Sequence, residues 1–183
     1  MFPRTEALSS ARTWHDWASL AGRLILGGVL LVAGALKLPN LESSVIAVRA
    51  YQLLPFDLTR PLGYALPIIE VALGLLLITG TFTRIAAISG GLIMVGFVIA
   101  IASVWARGIS IDCGCFGGGG EVEDGIAAYP WEIARDVGLI ACAAAAAWWP
   151  PRLLAVDTWL FAEPAPLDDL SETPQPQTNR SQA

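Results

Sequence analysis

Hydrophobic residues in this chain fall into long unbroken runs separated by short polar segments. After a polar, mixed-charge segment from Met1 to Asp16, the stretch Trp17 to Leu36 is apolar for about 20 residues, the length a helix needs to cross roughly 30 Å of hydrocarbon. Leu62 to Thr79, Ile85 to Trp105 and Trp131 to Trp149 repeat the pattern. Together they predict an all-α integral membrane protein, a four-helix bundle over residues 17–149.

The polar intervals add detail. Between the first two spans, Val45-Ile46-Ala47-Val48 and Tyr51-Gln52-Leu53-Leu54-Pro55 are too short to cross, and predict a short amphipathic interfacial helix and a turn. The tight Gly80 to Arg84 connection makes the second and third spans antiparallel neighbours. Gly90, Gly91 and Gly96 in span three and the Ala143 to Ala147 block in span four let helix backbones approach closely in lipid. Six of the seven tryptophans, at 14, 17, 105, 131, 148 and 149, fall at span ends, as an aromatic belt requires. Ala33-Gly34-Ala35 mimics a secretory cleavage site, but the preceding apolar run is longer than a usual signal sequence and more spans follow, so a retained first span is expected. Beyond Pro150-Pro151, Leu153 to Phe161 is expected on the membrane surface and the Pro-rich, acidic Glu163 to Ala183 is expected to be disordered.

Composition agrees with the membrane class: 55% of residues are hydrophobic and 15% charged, against about 25% charged in soluble domains. A net charge of -5, with 11 scattered Lys and Arg, lacks the clustered basic surface that nucleic acid requires. The single histidine, His15, cannot supply the paired imidazoles of a membrane haem, a copper centre or a di-iron site, so no metal or cofactor is predicted. Outside the spans, Arg4, Arg12, Arg84, Arg152 and Arg180 lie on the terminal side and Lys37, Arg49, Arg60 and Arg107 on the loop side. This five-to-four balance, six to five once Arg23 and Arg135 are added, favours cytoplasmic termini by a narrow margin. It puts the loop of residues 106–130 in an oxidising compartment, where disulfides persist.

That loop holds the main candidate chemistry, Ile111-Asp112-Cys113-Gly114-Cys115-Phe116-Gly117. A glycine between two cysteines permits the backbone angles that bring the sulfurs together. The resulting ring would be strained, and strained, exposed disulfides are readily reduced. Closing so short a ring stabilises little by chain entropy, which favours a redox role for Cys113 and Cys115 over a structural bond. A metal site would need further ligands, and only acidic residues such as Asp112 are at hand. Asp112 is expected to raise a neighbouring thiol pKa and Arg107 to lower it. Cys142, about 16 Å deep in span four, reads as a buried, inert thiol. Glu70 sits well inside span two, and an ionisable group there needs a partner; Lys37 or Arg23 is the candidate, forming an intramembrane polar cluster that serves as a helix clamp or as a proton or quinone-type site. His15 reads as an interfacial or solvated residue.

The chain resembles the MauE family of methylamine-utilisation membrane proteins, within the wider DoxX-like group. The matching pieces are Ala33-Gly34-Ala35-Leu36-Lys37-Leu38, Tyr51-Gln52-Leu53-Leu54-Pro55, Leu66-Pro67-Ile68-Ile69-Glu70-Val71-Ala72-Leu73-Gly74, and Arg107-Gly108 leading into the cysteine motif. The resemblance covers about residues 18–149 and implies a four-helix membrane bundle linked to extracytoplasmic thiol–disulfide chemistry in maturation of a disulfide-rich dehydrogenase subunit. The layout is also similar to that of the vitamin K epoxide reductase family, but Cys-x-Cys stands here where those enzymes have Cys-x-x-Cys, so quinone reduction does not carry over. The resulting expectation is exchange between Cys113, Cys115 and a thioredoxin-like partner or disulfide-containing client. The alternatives are a non-enzymatic DoxX-like subunit or scaffold whose cysteines tie the loop, and transport around Glu70. Homo- and hetero-oligomeric states are both open.

Overall fold

Each apolar run folds as a helix that continues past its hydrophobic limits. The computed structural model describes residues 4–149, with side chains from residue 14 onward; the expectations for 153–161 and 163–183 lie outside the described residues. Helix α1 spans Arg4–Lys37 and passes through a short 3-10 turn, Leu38–Asn40, into α2, Leu41–Ala50. Helices α3, Phe56–Thr79, α4, Thr83–Ala106, and α5, Gly125–Trp148, follow. Hydropathy marks only the part of a helix that matches hydrocarbon. The backbone ladder runs on into polar flanks until something stops it, as Pro55 does before α3 in an extended conformation (φ -56, ψ 145).

Close glycine contacts set the helix directions. A Cβ on Gly34 would meet the Pro67 carbonyl oxygen at 2.8 Å, and one on Gly27 would meet that of Gly74 at 3.1 Å, so α1 and α3 run antiparallel. Gly22 packs on the Cys142 backbone near one end of α5, and Gly91 on Ala143 brings α4 against it. Small residues at these crossings allow close van der Waals packing, which holds helices together where lipid removes the usual hydrophobic drive. The common core comprises Leu26, Leu30, Leu73, Leu77, Met94 and Leu139 together with alanines of α4 and α5. Ile25, Ile68, Leu75, Ile85, Leu92 and Ile99 point outward and are exposed, an apolar exterior that water does not tolerate on this scale but acyl chains do.

Among the described residues three stretches, Trp14–Ala50, Phe56–Thr79 and Thr83–Ala106, are long and apolar enough to cross a membrane. Helix α5 is as long as α3 and α4 but carries Glu132, Arg135 and Asp136 in its first half, so its hydropathy falls short of theirs. The charges face the interior: Asp136 is buried, and Arg135 pairs with it.

Between α4 and α5 the chain forms a structure that the hydrophobic pattern does not predict. Ile111–Asp112 (β1) pairs antiparallel with Gly120–Glu121 (β2), with Ile111 opposite Glu121 and Asp112 opposite Gly120. This two-residue ladder pinches the base of the cysteine turn. A second core lies beneath it, built from Tyr51, Ile101, Val104, Ile111, Tyr129 and the two cysteines.

Candidate functional site

The turn between β1 and β2 is shaped by its own residues first. Asp112 Oδ1 accepts a hydrogen bond from the Gly114 N–H at 2.9 Å, the side-chain-closed turn that Asp favours. Gly114 takes φ +68, a left-handed conformation open to glycine at no steric cost. The chain then doubles back, and the Cys115 N–H donates to Cys113 Sγ at 3.3 Å. Both cysteines are free thiols. They are 7% and 6% exposed, which keeps bulk water off the sulfurs.

Two tyrosines lock this turn to the helices. Tyr51, at the end of α2, donates to the Cys113 carbonyl oxygen at 2.9 Å. Burial, helped by the adjacent thiols, raises the Tyr51 pKa and so keeps its hydroxyl a donor. Tyr129 on α5 accepts from the Ile111 N–H at 2.8 Å and donates to the Ile109 carbonyl oxygen at 2.8 Å. Helix α2 also presses against the turn directly, with Ala47 under both Gly114 and Gly119.

Charged groups approach the thiols from α5. The Arg135 guanidinium packs over the Phe116 ring, 5.1 Å from its centroid, and lies against the Cys115 sulfur. It is held there by Asp136, whose Oδ1 accepts from Nε at 2.9 Å and from the terminal nitrogen at 2.8 Å. Glu132, one turn earlier, faces Cys113. The hydrogen bond shared by the two sulfurs lowers the Cys115 pKa, and Arg135 adds to that effect. The same shared bond, then burial, raises Cys113. Arg107 does not modulate the thiols as expected: it donates to the Tyr51 carbonyl oxygen and to Ser103, turned away by the end of α4. Asp112 spends its carboxylate on the turn. The sequence reading thus missed Arg135 and Glu132, although the 132, 135, 136 spacing on one helix face was a usable signal.

The intramembrane candidates divide. Lys37 Nζ donates to Glu70 Oε1 at 2.8 Å and Oε2 at 2.9 Å, with both side chains almost fully buried and the Phe97 ring 5.6 Å from the ammonium. Arg23 is buried but does not join them. It lies fourteen residues earlier on α1, about 21 Å along the axis at the helical rise. Cys142 is half-buried, not buried as expected, and its backbone packs on Gly22 of α1. His15 stacks on Trp149 at 4.7 Å, at the end of the bundle opposite the cysteines.

One small cavity links the two regions. Its lining includes Glu70, Phe97, Cys115, Phe116, Arg135 and Asp136, and its volume of about 10 Å³ accommodates no more than a single water. Among the described residues no group of three His, Cys, Asp or Glu side chains has the arrangement of a metal site.

Residues 15–149, covering nearly all of these elements, match the model of the family described as methylamine utilisation protein MauE. The chain belongs to the MauE family. Among curated relatives, a methylamine utilization protein MauE from Methylorubrum extorquens is 36% identical over 127 residues, covering 67% of this chain and 66% of the relative. One of the same name from Paracoccus denitrificans is 31% identical over 98 residues, 53% of either chain. The matches therefore span from about half to just under two thirds of these MauE proteins' own length. No solved structure matches this one.

Proposed function

We propose that this MauE-family protein is a multi-pass membrane protein that exchanges thiol and disulfide equivalents through Cys113 and Cys115 with a thioredoxin-like partner or a disulfide-containing client. The observation that carries the reading is the pair itself: two free, adjacent thiols joined by a 3.3 Å amide-to-sulfur contact, with a guanidinium beside one of them. A pair tied only for structure has no need of a cation at one sulfur.

The step balances without a further reagent. One cysteine thiolate attacks a sulfur of the partner disulfide, whose other sulfur leaves as a thiolate and takes up a proton. The second cysteine attacks the mixed disulfide, releases the second partner thiol and closes the Cys113–Cys115 bond. Two electrons and two protons pass to the partner, and the reverse sequence returns them; redox poise sets the direction. The relatives' names support a client in methylamine utilisation.

In this reading α5 is the fourth crossing helix, its charged face turned inward, and α2 lies in the interface. Both chain ends then share one side, and the cysteine turn faces the oxidising exterior. Because the native thiols are buried, orientation is best read from Val122, which is exposed on the same loop. In a cysteine-free background, Val122→Cys is expected to react with a membrane-impermeant maleimide in intact cells. Labelling only after permeabilisation would reverse the orientation and remove the oxidising compartment from the argument.

The function is tested by trapping. At least one of the single variants Cys113→Ser and Cys115→Ser is expected to leave a covalent partner adduct on non-reducing gels, absent from the double variant. No adduct from either single variant, together with full function in the double variant, would leave a scaffold role in its place.

A further inference from the structure

We propose that Arg135 is the positioning residue that holds negative charge on the Cys115 sulfur, making Cys115 the attacking member of the pair and Cys113 the resolving one. The attacker and resolver roles rest on the exchange function proposed above; the charge assignment does not.

The geometry is asymmetric about the two sulfurs. Arg135 and Cys115 line the same small cavity, and the guanidinium also covers the ring of the next residue, Phe116, at 5.1 Å. Consecutive loop residues thus meet one cation, which is anchored by two contacts to the buried Asp136. Asp136 Oδ2 has no hydrogen-bond partner among the described residues, so the pair is not closed on itself. Cys113 meets the opposite charge: the Glu132 carboxylate faces it, while burial acts on both sulfurs alike.

Other charges around Cys115 do not reverse this. Glu70 of α3 lines the cavity but is bonded through both oxygens to Lys37 of α1. Asp112 is engaged by the Gly114 amide, Arg107 of α4 by Tyr51 and Ser103, and Tyr129 of α5 by backbone groups. Burial and the Asp136 carboxylate also oppose charge on Cys115, and the Cys115 N–H donated to Cys113 Sγ favours charge on Cys113. Burial bears on both sulfurs alike, and that N–H is a neutral donor, whereas a hydrogen bond from a full cation is roughly twice as strong. In the exchange, the Cys115 thiolate attacks the partner disulfide. Cys113 then attacks the Cys115 sulfur of the mixed disulfide, and its proton passes to the partner thiolate that leaves.

The test is the pH profile of alkylation by iodoacetamide in the full chain, purified in detergent. Cys113→Ser and Cys142→Ala leave Cys115 as the sole thiol. With the Cys113 thiol removed, the effect of Arg135 is read as the shift in reactivity midpoint between variants. Arg135→Gln is expected to raise the midpoint by about one unit, slowing reaction at neutral pH about tenfold. Arg135→Lys restores most of that, and Asp136→Asn moves the midpoint the other way by removing a carboxylate that opposes charge on Cys115. An Arg135→Gln midpoint equal to that of the parent overturns the charge assignment. Should Arg135→Gln fail to fold, as judged by gel filtration, the opposite shift in Asp136→Asn decides it, and no shift there counts against the proposal. Partner capture through Cys113 in Cys115→Ser, with none through Cys115 in Cys113→Ser, overturns the assignment of attacker. Capture by neither sinks the exchange function and leaves the titration result intact.

Discussion

Replacing Lys37 by methionine while Glu70 stays in place is expected to destabilise the bundle by about 3–5 kcal/mol, the usual consequence of stranding one member of a buried ion pair. Lys37 donates to both Glu70 oxygens, and the pair is closed off by α1, α3 and the Phe97 ring. The small cavity beside Glu70 accommodates no more than a single water, and the Arg135 guanidinium that also lines it is already paired with Asp136. The pair need not itself be strongly stabilising, because both charges had to leave water to form it. The double variant Lys37→Met, Glu70→Met should therefore recover most of the loss. Thermal unfolding in detergent checks both. A single variant as stable as the parent would mean that the carboxylate finds other solvation, and a double variant no better than the single would mean that packing at the site, not charge, dominates.

The second large effect is expected at Gly114. A side chain there incurs two separable costs. One is the left-handed backbone at φ +68, worth about 1–2 kcal/mol for a residue with a Cβ. The other is collision: a Cβ would stand 2.5 Å from that of Ala47, on a helix fixed by its own contacts, and overpacking of this kind costs about 1–3 kcal/mol. Gly114→Ala should thus lower stability by about 2–5 kcal/mol and loosen the Cys115 N–H to Cys113 Sγ contact. Adding Ala47→Gly removes the collision but not the backbone strain, so it should restore about half. Full restoration would assign the whole effect to sterics, and none would assign it to the dihedral. The rate of thiol alkylation, expected to rise in Gly114→Ala as the turn opens, reports the local change beside the global one.

Much of this architecture was readable from the sequence because lipid imposes simple rules. Twenty apolar residues in a row have few alternatives to a helix, and Glu70 inside such a run had to find a cation. Helical rise separates the two candidates: Lys37 sits level with it and Arg23 does not. Helix ends were less legible, since hydropathy stops where hydrocarbon stops while backbone hydrogen bonding continues, as α1 and α3 illustrate.

The setting of the cysteines was the least legible part. Asp112 and Arg107 are near in sequence, and the local reading gave them the electrostatic roles. The groups that face the thiols come instead from α5, through a loop whose return path depends on glycines and a two-residue ladder. Tyr51 reaches Cys113 across 62 residues of sequence, a contact fixed by how α2 packs and by no local pattern. Arg135 entered the sequence reading only through the charge balance, and Glu132 and Asp136 not at all, because periodicity shows that they share a face, not what that face meets.

Four of the inward-facing charges form two cancelling couples, Lys37 with Glu70 and Arg135 with Asp136. A voltage across the membrane does work on net charge, about 2.3 kcal/mol per elementary charge per 100 mV over the full thickness. Each couple sums to zero, so the membrane potential exerts almost no net force on either. At these two points the bundle beside the cysteine turn is in this sense electrically silent, whether the membrane is energised or not.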